Sequence, residues 1–120
     1  MTTKNIKTAS AVDTARTLIN HPVLSLVADS GLEFHDLEMA AKTLVATHQS
    51  RESAQEKLYT VLAEEGIGHA SVFDEAITRT KAPESIARAR TAAIEFRETD
   101  ESFKRARKDL EAQAMLALED

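Results

Sequence analysis

Residues 83–120 read PESIARARTAAIEFRETDESFKRARKDLEAQAMLALED, and no glycine or proline follows Pro83. Apolar residues recur there at intervals of three and four, the spacing that places side chains on one face of an α-helix. The whole chain has only three glycines and two prolines, at Pro22, Gly31, Gly66, Gly68 and Pro83. Because these residues interrupt helices, their positions divide an otherwise helix-compatible sequence into a few amphipathic blocks.

This pattern predicts an all-α fold, a small bundle of five or six helices that ends in a long C-terminal helical segment. The 120 residues fit one domain. We expect a flexible polar arm over residues 1–10 and a single helical domain over 11–120, made of a bundle at 11–82 and the segment at 83–120. Because 42% of the residues are hydrophobic but only 4% are aromatic, the core should consist mainly of alanine, leucine, valine and isoleucine.

Capping residues predict where the N-terminal helices begin. Asp13 is the predicted N-cap of a first helix that ends near Asn20. Pro22 suits the first position of a second helix, because its fixed φ matches helical geometry. Residues 23–28 are so short and apolar that a buried strand is an alternative. We favour a helix there, because the rest of the chain offers no strand pattern that could pair with it.

Two further helices are predicted before the glycine pair at residues 66 and 68. The first covers about residues 33–49, and Ser50 is the predicted N-cap of the second. Leu44 and Leu58 lie on the apolar stripes of these helices and are predicted core residues. After the glycines, a shorter helix is expected to begin at Ser71.

The long C-terminal segment does not fit one coiled-coil frame. A heptad frame carried from its first half into its second places Asp100 and Arg107 among the apolar positions. We therefore interpret residues 99–102 as a kink or a cap between two helices. A single uninterrupted helix is the alternative.

The sequence lacks the residues on which most catalytic and cofactor sites depend. It contains no cysteine, which excludes disulfides, thiolate nucleophiles and cysteine-ligated metals. It also lacks a nucleophile elbow, a phosphate-binding loop and any Glu-x-x-His pair of the kind that ligates di-iron centres. We therefore predict no catalytic residues, no metal, no cofactor and no enzymatic activity.

Localisation is predicted from the apolar residues and their distribution. The N-terminal residues MTTKNIKT lack the apolar stretch of a signal peptide. No segment approaches the roughly 18 consecutive apolar residues of a membrane span. These features predict a soluble cytoplasmic protein that does not associate with membranes.

The formal net charge is −5, and acidic residues concentrate in the middle of the chain. Residues 29–80 hold ten acidic and four basic side chains. An acidic surface repels phosphate, so specific nucleic-acid binding is not expected, whereas a basic partner surface would be complementary. The acidic residues predicted to face such a partner are Glu33, Asp36, Glu64, Glu65, Asp74 and Glu75.

Residues 58–79 permit one alternative, a helix-turn-helix DNA-binding regulator. The sequence from Gly66 to Val72 resembles the turn of that motif, and the helix after Ser71 would enter the major groove. Asp74 and Glu75 would then bring the wrong charge towards phosphates. We therefore favour an ordinary helical hairpin at this position.

The end of the C-terminal segment offers more apolar surface than one packing face requires. Residues 115–118 read MLAL and place apolar side chains on several sides of a helix. We predict that a partner protein or a second copy of the chain covers Phe103, Leu110, Met115 and Leu118. The sequence as a whole predicts a helical protein–protein interaction module, such as an adaptor, a regulatory subunit or an inhibitor of a larger assembly.

Overall fold

The computed structural model describes residues 10–31 and 34–119, and the regular secondary structure among them consists only of helices. The elements are α1 (Ala11–Leu18), α2 (Pro22–Asp29), α3 (His35–Glu65), a short 3₁₀ helix (His69–Ser71), α4 (Glu75–Thr78) and α5 (Pro83–Glu119). The predicted all-α fold with a long C-terminal helix is confirmed. Of the arm predicted over residues 1–10, only Ser10 is among the described residues.

α1 begins earlier than its sequence suggested. The Ser10 hydroxyl accepts a hydrogen bond from the backbone N–H of Asp13 at 3.2 Å and caps the helix. Asp13 lies in the first turn, where its carboxylate interacts favourably with the positive end of the helix dipole. The predicted N-cap at Asp13 is therefore wrong, and the helix ends at Leu18 rather than near Asn20.

A carboxylate from α3 accepts hydrogen bonds from backbone N–H groups at the N-terminus of α1. Glu38 accepts the backbone N–H of Ala11 at 3.0 Å and that of Val12 at 3.4 Å. Both N–H groups belong to the first turn of α1, where no partner exists within the helix. Charge-assisted hydrogen bonds therefore tie α1 to α3.

α2 starts at Pro22, which confirms the predicted boundary. His21 is its N-cap, because the ring Nδ1 accepts the backbone N–H of Leu24 at 3.4 Å. Leu24 and Val27 are buried. The apolar segment at residues 23–28 is thus a packed helix, as predicted, and the alternative of a strand does not form.

α3 is a single helix of 31 residues, so the predicted break at Ser50 is wrong. Ser50 lies in the middle of α3 with its side chain exposed. At such a position serine is less favourable than alanine by only about 0.5 kcal/mol. Leu44 before it and Leu58 after it are completely buried. Packing on both sides of Ser50 outweighs the small local preference for a cap.

The segment after α3 turns sharply instead of continuing into a longer helix. Gly66 adopts a positive φ of 67° and ends α3. The 3₁₀ helix then leads to α4, a single turn in which the Asp74 carboxylate accepts the backbone N–H of Ala76 at 3.0 Å. This side-chain hydrogen bond starts a new helix after Asp74. No continuous helix therefore runs from Ser71, and the helix predicted to begin there is wrong. With only four residues in α4, no helix of the length typical of a DNA-reading element forms here.

α5 is a single helix of 37 residues, so the predicted division into two helices with a cap at residues 99–102 is wrong. Arg51 of α3 donates from Nε to Oδ1 of Asp100 at 2.6 Å, and the two side chains are 32% and 21% exposed. A paired carboxylate can occupy a partly buried position without interrupting the helix. Arg107, the other polar residue of the frame, is exposed and pairs with Glu111 at 3.1 Å.

Packing divides the described residues into two compact units. The first unit contains residues 10–31, 34–47 and 103–119, and the second contains residues 48–102. The core of the first unit comprises Ala15, Ile19, Leu24, Val27, Leu37, Ala40, Ala41, Leu44, Ala106, Leu110 and Ala114. The core of the second unit comprises Leu58, Val61, Leu62, Ile67, Val72, Ile86, Ala89, Ala92 and Ala93. The single domain expected over residues 11–120 stays a prediction.

We expect Leu44→Ala and Leu58→Ala each to lower the free energy of unfolding by about 2–5 kcal/mol, because both side chains are completely buried. Chemical denaturation followed by circular dichroism would measure the change. Leu26→Ala is the matched control, since Leu26 is exposed and its truncation should change the free energy by less than about 0.5 kcal/mol. Equal effects at all three positions would contradict the assigned helix faces.

Asp100→Ala should lower the free energy of unfolding by about 1–3 kcal/mol and leave the helix content unchanged, because it removes the carboxylate partner of Arg51. The same denaturation experiment, with far-ultraviolet circular dichroism of the folded state, tests both parts. Glu101→Ala is the control at an exposed neighbour. A loss of helix content in Asp100→Ala would contradict this expectation, because alanine needs no partner to continue a helix.

Candidate functional surfaces

Two of the acidic residues predicted to face a partner already pair with a cation of the same chain. Arg88 of α5 donates to the carboxylates of Glu64 and Glu65 at the end of α3, with a distance of 2.9 Å from Nη2 to Oε1 of Glu64. The hydrogen bond to Glu64, together with the negative charge of Glu65, raises the pKa of Arg88 above its usual value. The Glu65 side chain is only 14% exposed. Both acids are therefore partly neutralised inside the second unit.

The other predicted acids lie in different parts of the chain. Asp36 is exposed in the first turn of α3 and belongs to the first unit. Asp74 and Glu75 lie together at the start of α4 in the second unit, where Asp74 serves as the N-cap and Glu75 is exposed. Glu33 lies outside the described residues.

The four residues predicted for partner binding on α5 differ in their exposure. Leu110 is completely buried, and Phe103 packs against the same core cluster. Met115 and Leu118 are 45% and 51% exposed, and Leu116 is 54% exposed. Helical periodicity explains the difference, because Leu110 lies on the inward face and the other three side chains point to other sides of α5. Met115 lies next to Leu118, three residues on, whereas Leu116 projects from nearly the opposite side of the helix. We call Met115, Leu116 and Leu118 the C-terminal strip.

A shallow groove adjoins the C-terminal strip within the first unit. Leu116 and Ala117 line it from the end of α5, Asp36 lines it from the first turn of α3, and Phe34 lines it from the position just before that helix. Asp36 thus places a carboxylate beside an exposed apolar side chain. Apolar and charged side chains thus line the same groove, and surfaces that bind proteins commonly combine the two.

The second unit contains a cluster of an aromatic ring and two cations that the sequence analysis missed. Phe73 is 47% exposed, and the guanidinium carbons of Arg90 and Arg97 each lie 5.5 Å from the centroid of its ring. These are cation–π distances. Nε of Arg90 also donates to the backbone carbonyl of Val72 at 3.1 Å. The signal available in the sequence was the spacing of Arg90, Ile94 and Arg97, which places them on one face of a helix.

We call Phe73, Arg90 and Arg97 the Phe73 cluster. An open groove runs between α4 and the first turns of α5, and Arg90 lines this groove as well as contacting Phe73. The apolar part of its lining includes Ile86, Ala87 and Ile94. The charged part consists of Glu75, Arg79, Lys81 and Arg90. We call this the cationic groove, because its three cations outnumber its one carboxylate.

The cations of the second unit fall into two groups. Residues 48–102 contain seven lysine and arginine residues and eleven aspartate and glutamate residues. Three of the cations pair with carboxylates: Arg51 with Asp100, Lys57 with Glu95, and Arg88 with Glu64 and Glu65. The remaining four, which form no ion pair within the described part of the chain, are Arg79, Lys81, Arg90 and Arg97. All four belong to the cationic groove or to the Phe73 cluster.

Comparisons with known proteins give no match: no protein-family model, no curated protein and no solved structure matches this chain. Within residues 10–31 and 34–119, no helix combines the length and the apolar character that crossing a membrane requires. In the same part of the chain, histidine, aspartate and glutamate side chains form no group of three or more that could hold a metal ion.

Arg88→Gln should lower the melting temperature more at about 0.01 M salt than at about 1 M salt, because exposed ion pairs are screened by dissolved ions. Thermal unfolding at the two salt concentrations would measure this difference. Arg79→Gln is the matched control: Arg79 is exposed and has no carboxylate partner among the described residues. A decrease for Arg88→Gln that did not depend on salt would show that the arginine stabilises the fold by another route.

Proposed function

We propose that this protein is a non-catalytic, cytoplasmic protein-interaction module that binds a partner through the C-terminal strip. One observation supports this proposal above the others: Met115, Leu116 and Leu118 remain about half exposed, although the core of the first unit is built without them. Met115 and Leu118 are three residues apart on one helix and so lie side by side, and contiguous exposed apolar surface is typical of binding sites. An adaptor, a regulatory subunit and an inhibitor of a larger assembly would all use such a surface.

The proposed partner carries a basic surface around an apolar centre. Asp36 lines the groove beside Leu116, and the chain has a formal net charge of −5. Carboxylates at the rim of an apolar patch speed association with a basic protein and disfavour acidic competitors. A second copy of this acidic chain would be less complementary, because like charges would meet at the rim.

A regulator that reads duplex DNA receives less support. α4 has four residues, whereas a recognition helix must be long enough to lie in the major groove. Asp74 and Glu75 at its start also carry the charge that phosphates repel.

Leu118→Glu should abolish binding to the partner and leave the fold intact. The substitution places a carboxylate in an apolar interface, whereas Leu118 is exposed and lies outside the core of the first unit. The tagged full chain and the variant would be used to capture proteins from cells that produce the chain, with identification by mass spectrometry and oligomeric state by light scattering. We expect the melting temperature of the variant to stay within about 2 °C of the original.

Ser50→Glu is the control for added charge, because Ser50 is exposed on α3 outside the strip. It should capture the same proteins as the unaltered chain. Capture of those proteins by Leu118→Glu as well would contradict the proposed site. Unfolding of Leu118→Glu would also contradict it, since the strip would then belong to the core.

A further inference from the structure

We infer that the cationic groove of the second unit, together with the ring of Phe73 beside it, binds an acidic amphipathic helix of a partner protein. The inference rests on the proposed function as a protein-interaction module, and it names the ligand of a surface separate from the C-terminal strip. In this complex the apolar face of the ligand helix packs on the groove. Its aspartate and glutamate side chains meet the arginines at the edges.

The apolar lining of the groove explains why the ligand has an apolar face. Ile94 is exposed on α5, and Ala87 lies two turns before it on the same side of the helix. Phe73 adds an exposed aromatic ring that is continuous with the groove through Arg90. A small polar ion would leave these apolar atoms in water. A helix with apolar residues at positions i, i+3, i+4 and i+7 would cover them.

The cations explain why the ligand is acidic. Four of the seven cations in the second unit have no carboxylate partner among the described residues, and all four surround this one site. Arg90 and Arg97 are held against the ring of Phe73, so they lose less conformational freedom when they bind a carboxylate. Guanidinium groups favour carboxylates because both form two parallel hydrogen bonds.

Charge in the rest of the unit favours a protein ligand over a nucleic acid. The second unit holds eleven acidic residues against seven cations, and Glu75 lies in the groove itself. A nucleic acid carries a charge on every phosphate and would meet this excess of carboxylates along its length. A protein helix can place its carboxylates only at the cations that have no carboxylate partner of their own.

The test uses a fluorescent synthetic peptide of about 18 residues, roughly five helical turns. Leucines occupy one face of the peptide helix and glutamates border that face, and a matched peptide carries glutamine at every glutamate position. Fluorescence anisotropy would measure the binding of each peptide to the full chain. We expect the glutamate peptide to bind at least about tenfold more tightly at low salt, with an advantage that shrinks as salt screens the charges. Equal affinity of the two peptides would overturn the inference.

Charge reversal locates the binding site. Arg79→Glu combined with Arg97→Glu should weaken binding of the glutamate peptide by about tenfold or more, and both side chains are exposed, so the fold should persist. Lys108→Glu is the control, because it reverses one exposed cation of α5 outside the groove. If the double variant unfolds, the site is located instead by adding the glutamate peptide to the unaltered chain and measuring the changes in amide chemical shifts. Changes centred on Phe73 and Ile94 would support the site, and changes confined to other residues would overturn it.

The outcomes separate this inference from the proposed function. Peptide binding at the groove without any capture that depends on Leu118 would support the groove and contradict the C-terminal strip. Capture that depends on Leu118, with equal binding of the two peptides, would support the C-terminal strip and contradict the groove. A labelled single-stranded oligonucleotide that bound more tightly than the glutamate peptide, and lost affinity in the arginine double variant, would overturn the assignment of a protein ligand.

Discussion

Close packing of small apolar side chains along α3 and α5 is the interaction on which both units depend. α3 contributes Ala40, Ala41 and Leu44 to one core and Leu58, Val61 and Leu62 to the other, and α5 contributes Ala106, Leu110 and Ala114 to one and Ala89, Ala92 and Ala93 to the other. Alanine allows the backbones of neighbouring helices to approach closely, so these cores fill with few large side chains. Among the described residues, no polar or charged side chain is buried.

A core of this kind leaves large side chains available at the surface. In the first unit they include the C-terminal strip, of which Leu116 lines a groove together with Asp36. In the second unit, some cations form ion pairs between α3 and α5; Lys57, for example, lies 2.9 Å from Glu95. The cations without such a partner lie around Phe73 and the cationic groove. The C-terminal strip and the cationic groove thus both expose apolar side chains, and the charges of Asp36 at the first and of the arginines at the second have opposite sign. That difference would allow the interaction module proposed above to bind two chemically distinct partners.

The helix boundaries predicted at Ser50 and at residues 99–102 were overruled by tertiary contacts. Ser50 was interpreted through a local capping preference, which is worth about 1 kcal/mol, and residues 99–102 through the heptad frame of the apolar residues. At Ser50, burial of leucines on either side of the same helix contributes more than that. At residues 99–102, Arg51 supplies a partner for Asp100 from another helix. A residue that looks like a helix boundary in isolation is stable in a helix interior once such contacts exist.

The sequence by itself determined the helical class, the boundaries at Pro22 and Gly66, and the burial of Leu44 and Leu58. Those features follow from backbone geometry and from the period of the apolar residues, which act over a few neighbouring positions. Only the tertiary structure decided that Leu110 is buried while Leu118 is exposed, that Arg88 holds Glu64 and Glu65, and that Arg90 and Arg97 meet Phe73. The reason is that these contacts depend on how each helix is rotated against its neighbours, and periodicity within one helix does not specify that rotation.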